Sequence, residues 1–79
     1  MVTPESIKDG IERGLDCEQV DVLGDGQHFQ ALVVSRAFAG KSRVQRHQMV
    51  YAALGDRMRA EIHALSMRTL TPEELAAGG

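Results

Sequence analysis

The chain contains few cysteine, proline and aromatic residues: its 79 residues include one cysteine, two prolines, two phenylalanines, one tyrosine and no tryptophan. A lone cysteine, Cys17, excludes an internal disulfide and cannot form a cysteine metal site by itself. No apolar run approaches the ~20 residues of a membrane-spanning helix. The amino terminus also lacks the basic and then apolar pattern of a signal or transit peptide. We therefore expect a soluble protein of the cytoplasm with no membrane association.

The length and composition indicate one small globular domain over residues 1–79, with residues 76–79 as a frayed tail. Apolar residues make up 43% of the chain and charged residues 25%, which is ordinary for a soluble domain. A core of this size leaves little room for an enclosed active-site cavity. Function is therefore expected on the surface.

Charge is distributed unevenly along the chain. Residues 1–35 carry seven acidic residues against two basic ones, whereas residues 36–59 carry six basic residues against one acidic. Such a basic segment can bind an anionic partner, whether nucleic acid, phosphate or an acidic protein face. A solvated helix face with neighbouring acids explains it equally well. The residues that would form this anionic-partner surface are Arg36, Lys41, Arg43 and Arg46.

The first half predicts a helix followed by a β-hairpin. Thr3 and Pro4 are typical of an N-cap and a first helical residue, so we place a helix near residues 4–14. The Gly24-Asp25-Gly26 segment offers the positive-φ positions of a tight turn, and an apolar run follows at 29–34.

The second half predicts a helix, a strand and a final helical turn. Ser42 can cap a helix that ends near Gly55, and its apolar stripe is predicted to contain Val44, His47, Tyr51, Leu54 and Met58. Residues 62–69 read as a strand, and Thr71 followed by Pro72 begins the last turn. The element order α-β-β-α-(α)-β-α indicates an α+β domain with helices on one face of a three-stranded sheet.

Three histidines are the candidate metal ligands or general bases. His28 follows the hairpin turn, where it is either a ligand or an ordinary polar loop residue. His47 lies on the apolar stripe and is assigned a structural role as a hydrogen-bonded core histidine. His63 precedes a strand, where burial and partial exposure are both open. Cys17 is interpreted as a small packing residue.

No catalytic residue is predicted. The chain has no Walker or dinucleotide-binding glycine loop, and none of its serines has the surroundings of an activated nucleophile. We therefore expect a protein that is not an enzyme.

Several separated motifs in one order carry a resemblance to a known family. They are GDGQHF at 24–29, VVS at 33–35, FAGKS at 38–42, RHQ with VY at 46–51, IHALS at 62–66 and TPE at 71–73. Together they span nearly the whole chain. The sequence resembles the BolA family, and the acidic chain with its GDGxHF motif is most similar to small bacterial members.

The resemblance implies a class II KH-like fold with a mixed sheet, and a heterodimer with a monothiol glutaredoxin of the CGFS type that is bridged by a [2Fe-2S] cluster. By position, His63 and His28 correspond to the family's cluster ligands. The remaining ligands would be the glutaredoxin cysteine and a glutathione thiolate, since a [2Fe-2S] cluster needs four protein or cofactor ligands. The isolated chain is then expected to hold no cluster and to be a monomer or weak homodimer.

The resemblance also offers an alternative, because some BolA proteins are described as DNA-binding transcriptional regulators of stress response or cell morphology with a helix-turn-helix-like surface. The basic segment from Arg36 to Arg59 would serve that role. KH-type RNA binding is not expected, because the segment Gly40-Lys41-Ser42-Arg43 lacks the second glycine of a GXXG loop.

Overall fold

The computed structural model of the chain describes residues 2–56 and 64–78. Its elements are α1 (Pro4–Gly14), β1 (Gln19–Gly24), β2 (His28–Val34), a short 3₁₀ helix (Arg36–Phe38), α2 (Arg43–Leu54), β3 (Ala64–Leu70) and α3 (Pro72–Ala76). Three predictions fall wholly or partly outside the described residues. They are the additional helix before the last strand in the order α-β-β-α-(α)-β-α, the place of Met58 on the apolar stripe, and the ligand role of His63. The 3₁₀ helix is an element that the sequence patterns missed.

The sheet has the order β1-β2-β3, with β1 antiparallel and β3 parallel to β2. Side chains alternate along β2, so that Phe29, Ala31 and Val33 are buried while His28 and Gln30 are exposed. The buried set belongs to one core cluster with residues of α1 and α2, so both helices pack on the same face of the sheet. This confirms the α+β fold with a mixed three-stranded sheet.

Each of the three α-helices in the described part of the chain begins with a capping box. The N-cap side chains of Thr3, Ser42 and Thr71 each accept the backbone N–H three residues later, and the side chain at that position accepts the N-cap backbone N–H in return. Each box satisfies two backbone donors that a helix start leaves without partners. The predicted helix starts are therefore confirmed.

The core lies between α1, α2 and the sheet. Ile7 and Ile11 from α1 and Val50 from α2 are fully buried there. The two helices approach closely where Gly14 meets Ala53, because a Cβ at Gly14 would lie 2.7 Å from the Ala53 Cα. Glycine at the end of α1 is thus required by packing against Ala53.

The predicted apolar stripe of α2 is wrong in part. Val44 is 66% exposed and Tyr51 40% exposed, whereas Val50 and Leu54 are the buried residues of this helix. The predicted stripe runs through positions 44, 47, 51 and 54, but the face that meets α1 and the sheet is rotated towards position 50. The periodicity was correct and the direction of the buried face was not, because two apolar residues of α2 face solvent.

Candidate functional site

The hairpin tip is held by one carboxylate. Asp25 Oδ1 accepts the backbone N–H of His28 at 2.9 Å and of Gln27 at 3.0 Å, and the Asp25 N–H donates to the His28 carbonyl oxygen at 3.2 Å. The bond from His28, followed by that from Gln27, lowers the pKa of Asp25 from 3.8, because both bonds stabilise the carboxylate. Gly26 takes the positive φ of 101°. Gly24, predicted as a turn residue, instead ends β1.

His28 begins β2 directly after this turn, and its side chain is exposed on the face of the sheet opposite the helices. Its α-carbon partner across the parallel pairing is Ala64, the first residue of β3. His63, the other predicted ligand, immediately precedes Ala64 in the chain but lies outside the described residues. The fold therefore pairs His28 with Ala64, the residue that follows His63 in the sequence.

A metal site at His28 would need ligands from beyond the described residues. Within residues 2–56 and 64–78, no group of three or more histidine, cysteine, aspartate or glutamate side chains could hold a metal ion. An iron–sulfur cluster would need further ligands from another molecule. The exposed imidazole of His28 fits such a shared shell, because nothing in the core engages it.

Cys17 is poorly suited to supply a thiolate ligand. It is partly buried against the core, and burial raises its pKa to about 11, with Glu18, Asp16 and Glu12 adding to the effect. A thiol with such a pKa remains protonated near neutral pH, so it is a poor nucleophile and a poor metal ligand. The structure agrees with its interpretation as a packing residue.

The second candidate site is an open groove of about 510 Å³ between α2 and β3. Its lining consists of Lys41, Arg43, Arg46, His47, Met67, Arg68 and Thr69. Three of the four residues predicted for an anionic-partner surface therefore meet in one place. Arg68 is a fourth cation of the groove that the sequence patterns missed, because it stands alone in an otherwise uncharged strand.

Two of the predicted cations are already paired with acidic residues. Arg36, which lies outside the groove, is 3.4 Å from a carboxylate oxygen of Glu18. Arg46 contacts Glu74 at 2.7 Å with its side chain only 12% exposed, and Arg46 Nη1 also donates to the Thr69 carbonyl oxygen at 3.1 Å. Arg46 therefore serves to join α2, β3 and α3. The charge available to a ligand comes mainly from Lys41, Arg43 and Arg68.

His47 lies half-buried at the wall of the groove. Its Nε2 is buried and has no hydrogen-bond partner among the residues described, so the hydrogen bond predicted for a core histidine is not present at this atom. Burial lowers the pKa of His47, and the charge of Arg43 lowers it further. The imidazole is therefore held largely neutral at pH 7.

No helix in the described part of the chain is long and apolar enough to cross a bilayer. The His28 tip and the groove are the two sites that contain residues predicted to have a functional role. The two sites are separate, since His28 is not among the groove's lining residues.

Comparison with known proteins identifies the family. A family model described as BolA-like protein matches residues 6–74. Acid stress protein IbaG of Escherichia coli K12 is 39% identical over 71 residues, which cover 89% of this chain and 84% of that protein. The DNA-binding transcriptional regulator BolA of Haemophilus influenzae is 41% identical over 54 residues, covering 68% of this chain and 52% of the regulator.

A solved structure agrees with these relatives. The structure of a BolA protein homologue from Coxiella burnetii superposes with a TM-score of 0.89 at 47% sequence identity, covering 96% of this chain and 99% of that one. The resemblance drawn from the separated sequence motifs is thereby confirmed: the chain belongs to the BolA family.

Proposed function

We propose that this protein is a non-enzymatic partner of a monothiol glutaredoxin and shares a bridging [2Fe-2S] cluster with it, in cluster assembly, cluster trafficking or iron and redox sensing. His28 and His63 would be the ligands from this chain. The glutaredoxin cysteine and glutathione would complete the shell. The observation that carries the proposal is the position of His28. Its side chain is exposed, its backbone N–H donates to Asp25, and it pairs with Ala64, which follows His63 in the sequence.

The chemistry of the tip supports a shared ligand role. The contacts with Asp25 fix the His28 backbone and leave the imidazole free to meet another molecule. Neutral imidazoles in place of thiolates raise the reduction potential of a [2Fe-2S] cluster, as in Rieske centres. A cluster held in this way is suited to sensing or transfer between proteins.

The test is to mix the purified chain with a monothiol glutaredoxin, glutathione, iron and sulfide and to record the visible spectrum. The chain alone should be colourless, and the mixture should show a cluster with histidine ligation. His63→Ala should change the spectrum and the lability of the cluster most, and His28→Ala should change them more mildly. His47→Ala should leave the spectrum unchanged.

Gln30→Ala is the matched control for His28→Ala, because Gln30 is exposed on the same face of β2. Stoichiometric iron and sulfide in the chain prepared without glutaredoxin would contradict the proposal. A spectrum that is unchanged by His63→Ala and changed by His47→Ala would show that the ligand roles are wrong.

The groove favours a second candidate function, DNA binding by a transcriptional regulator. Its support is the cluster of Lys41, Arg43 and Arg68 without ion pairs to other described residues, together with the relative named as a DNA-binding regulator. Three phosphate contacts predict a salt dependence with a logarithmic slope of about −3. A mobility shift at increasing salt tests this: weak, salt-sensitive binding is expected, whereas nanomolar sequence-selective binding would rank the regulator function first.

A further inference from the structure

The groove between α2 and β3 has features that neither proposed function uses. Its floor is the outer edge of β3, because β3 is the last strand of the sheet and pairs only with β2 among the described residues. Its wall is the first half of α2. An edge strand with free backbone groups beside a helix is a place where an extended peptide can add to a sheet.

The direction of the β3 backbone groups follows from two hydrogen bonds. The Ser35 N–H donates to the Leu70 carbonyl oxygen at 2.9 Å, so the backbone of Leu70 faces the side of β2. The Thr69 carbonyl oxygen accepts from Arg46 Nη1, so Thr69 faces the opposite side. Backbone direction alternates along a strand, and Met67 therefore also faces the groove. Its N–H and carbonyl oxygen have no partner among the described residues.

The charge of the groove indicates what such a peptide must carry. Lys41, Arg43 and Arg68 line it, and none of them pairs with a described acidic residue. The neighbouring Arg46 is already neutralised by Glu74. An occupant with carboxylates would meet unpaired cations and would leave the existing ion pair intact.

We propose that this groove binds an extended acidic segment of a partner protein, which pairs with the edge of β3 at Met67 and places its carboxylates near Lys41, Arg43 and Arg68. Single-stranded nucleic acid fits less well, because no aromatic side chain lines the groove to stack on a base.

The size of the groove agrees with a short peptide. At about 510 Å³ it is far larger than one phosphate or carboxylate needs and falls in the range of sites for drug-sized ligands, so it can hold part of an extended peptide. His28 does not line the groove, so cluster binding and peptide binding can be tested by separate substitutions.

The experiment uses the full chain and an acetylated, amidated peptide of eight residues in which pairs of glutamates alternate with pairs of valines. This order places carboxylates on both faces of an added strand. Titration followed by amide chemical shifts should move the signals of Met67 and Thr69 most. A peptide with glutamines in place of glutamates, and one with N-methyl groups on alternate amides, should each bind more weakly.

The double variant Arg43→Gln with Arg68→Gln should weaken binding about fivefold or more, since each exposed ion pair contributes up to ~1 kcal/mol. The matched control is Lys8→Gln with Arg13→Gln, which removes the same charge from α1, away from the groove, and should change affinity less than about twofold. Both double variants should keep the wild-type amide spectrum elsewhere.

Equal weakening by the two double variants would show a non-specific charge effect and overturn the proposal. Unchanged affinity of the N-methylated peptide would overturn strand pairing at β3. A duplex of twelve base pairs that binds the groove more tightly than the peptide at the same salt would assign the site to nucleic acid instead. Absence of peptide binding at millimolar concentration would also refute it.

Discussion

Along β2, the side chains of Phe29 and Val33 are almost fully buried against α1 and α2, whereas His28 and Gln30 on the opposite face are exposed. Neighbouring residues of one strand therefore differ in whether their side chains pack in the core or face solvent. Substitutions on the first face test folding, and substitutions on the second test binding. In a domain this small, that separation lets the exposed face change while the volume and shape of the core stay the same.

The largest effect is expected from the buried face. Phe29→Ala should destabilise the protein by about 3–5 kcal/mol, because it removes a fully buried ring and leaves a cavity. Gln30→Ala, one residue later on the exposed face, should cost less than about 0.5 kcal/mol. Urea unfolding measures both. If Phe29→Ala does not fold, Val33→Ala replaces it, and similar losses at positions 30 and 33 would contradict the comparison.

Ser35, directly after β2, should give the next largest effect. It is fully buried; its Oγ donates to the Asp16 carbonyl oxygen at 2.6 Å and accepts the Ala37 N–H at 3.1 Å. Ser35→Ala should cost about 1–3 kcal/mol, because the Asp16 carbonyl and the Ala37 N–H lose their partner in two part-buried hydrogen bonds. Ser66→Ala, on exposed β3 surface, is the control and should be near neutral. Equal unfolding midpoints for the two variants would show that the Ser35 network does not stabilise the fold.

Acid should weaken the ion pair between Arg46 of α2 and Glu74 of α3. The hydrogen bond from Arg46, with that from Thr71, lowers the pKa of Glu74 from 4.5 to about 2. A lowered folded-state pKa means that the contribution of Glu74 to stability is present above pH ~4.5 and is lost as pH falls towards 2. The melting temperature of Glu74→Gln should therefore lie below that of wild type at pH 6 and equal it near pH 2. Glu73→Gln, on the same helix, should show no such convergence.

The smallest effect on folding is expected at His28. His28→Ala should change the free energy of unfolding by less than about 0.5 kcal/mol, because the side chain is exposed and the contacts with Asp25 use the backbone N–H. Thermal unfolding of the isolated chain measures this. A loss of unfolding free energy above 1 kcal/mol would show that the imidazole stabilises the fold. It would contradict the distinction between the buried and the exposed face of β2.

Local signals in the sequence predicted the elements well. The caps at Thr3, Ser42 and Thr71 and the hairpin around Asp25 are decided by neighbouring residues, so the pattern contains the information. The buried face of α2 was predicted less well. Val44 is apolar yet exposed, and only the packing of distant elements decides which apolar residue of a helix faces the core.

The candidate sites were predictable in composition but not in arrangement. The sequence singled out His28 and the cations at positions 41, 43 and 46. It did not show that Arg46 is paired with Glu74, 28 positions later, or that Arg68 joins the groove. Such ion pairs depend on tertiary contacts between elements far apart in the chain. The ligand role of His63 stays a prediction.

The parallel pairing of β2 with β3 has a consequence for how the molecule assembles. The antiparallel hairpin of β1 and β2 closes over a short turn, but Ala64 reaches His28 only after a loop that contains α2 has closed. Such non-local pairing slows folding, because the entropy of loop closure is lost before the contacts form. The strand edge beneath the groove and the partner position of His28 both depend on this pairing, so a nascent chain that ends before β3 has neither.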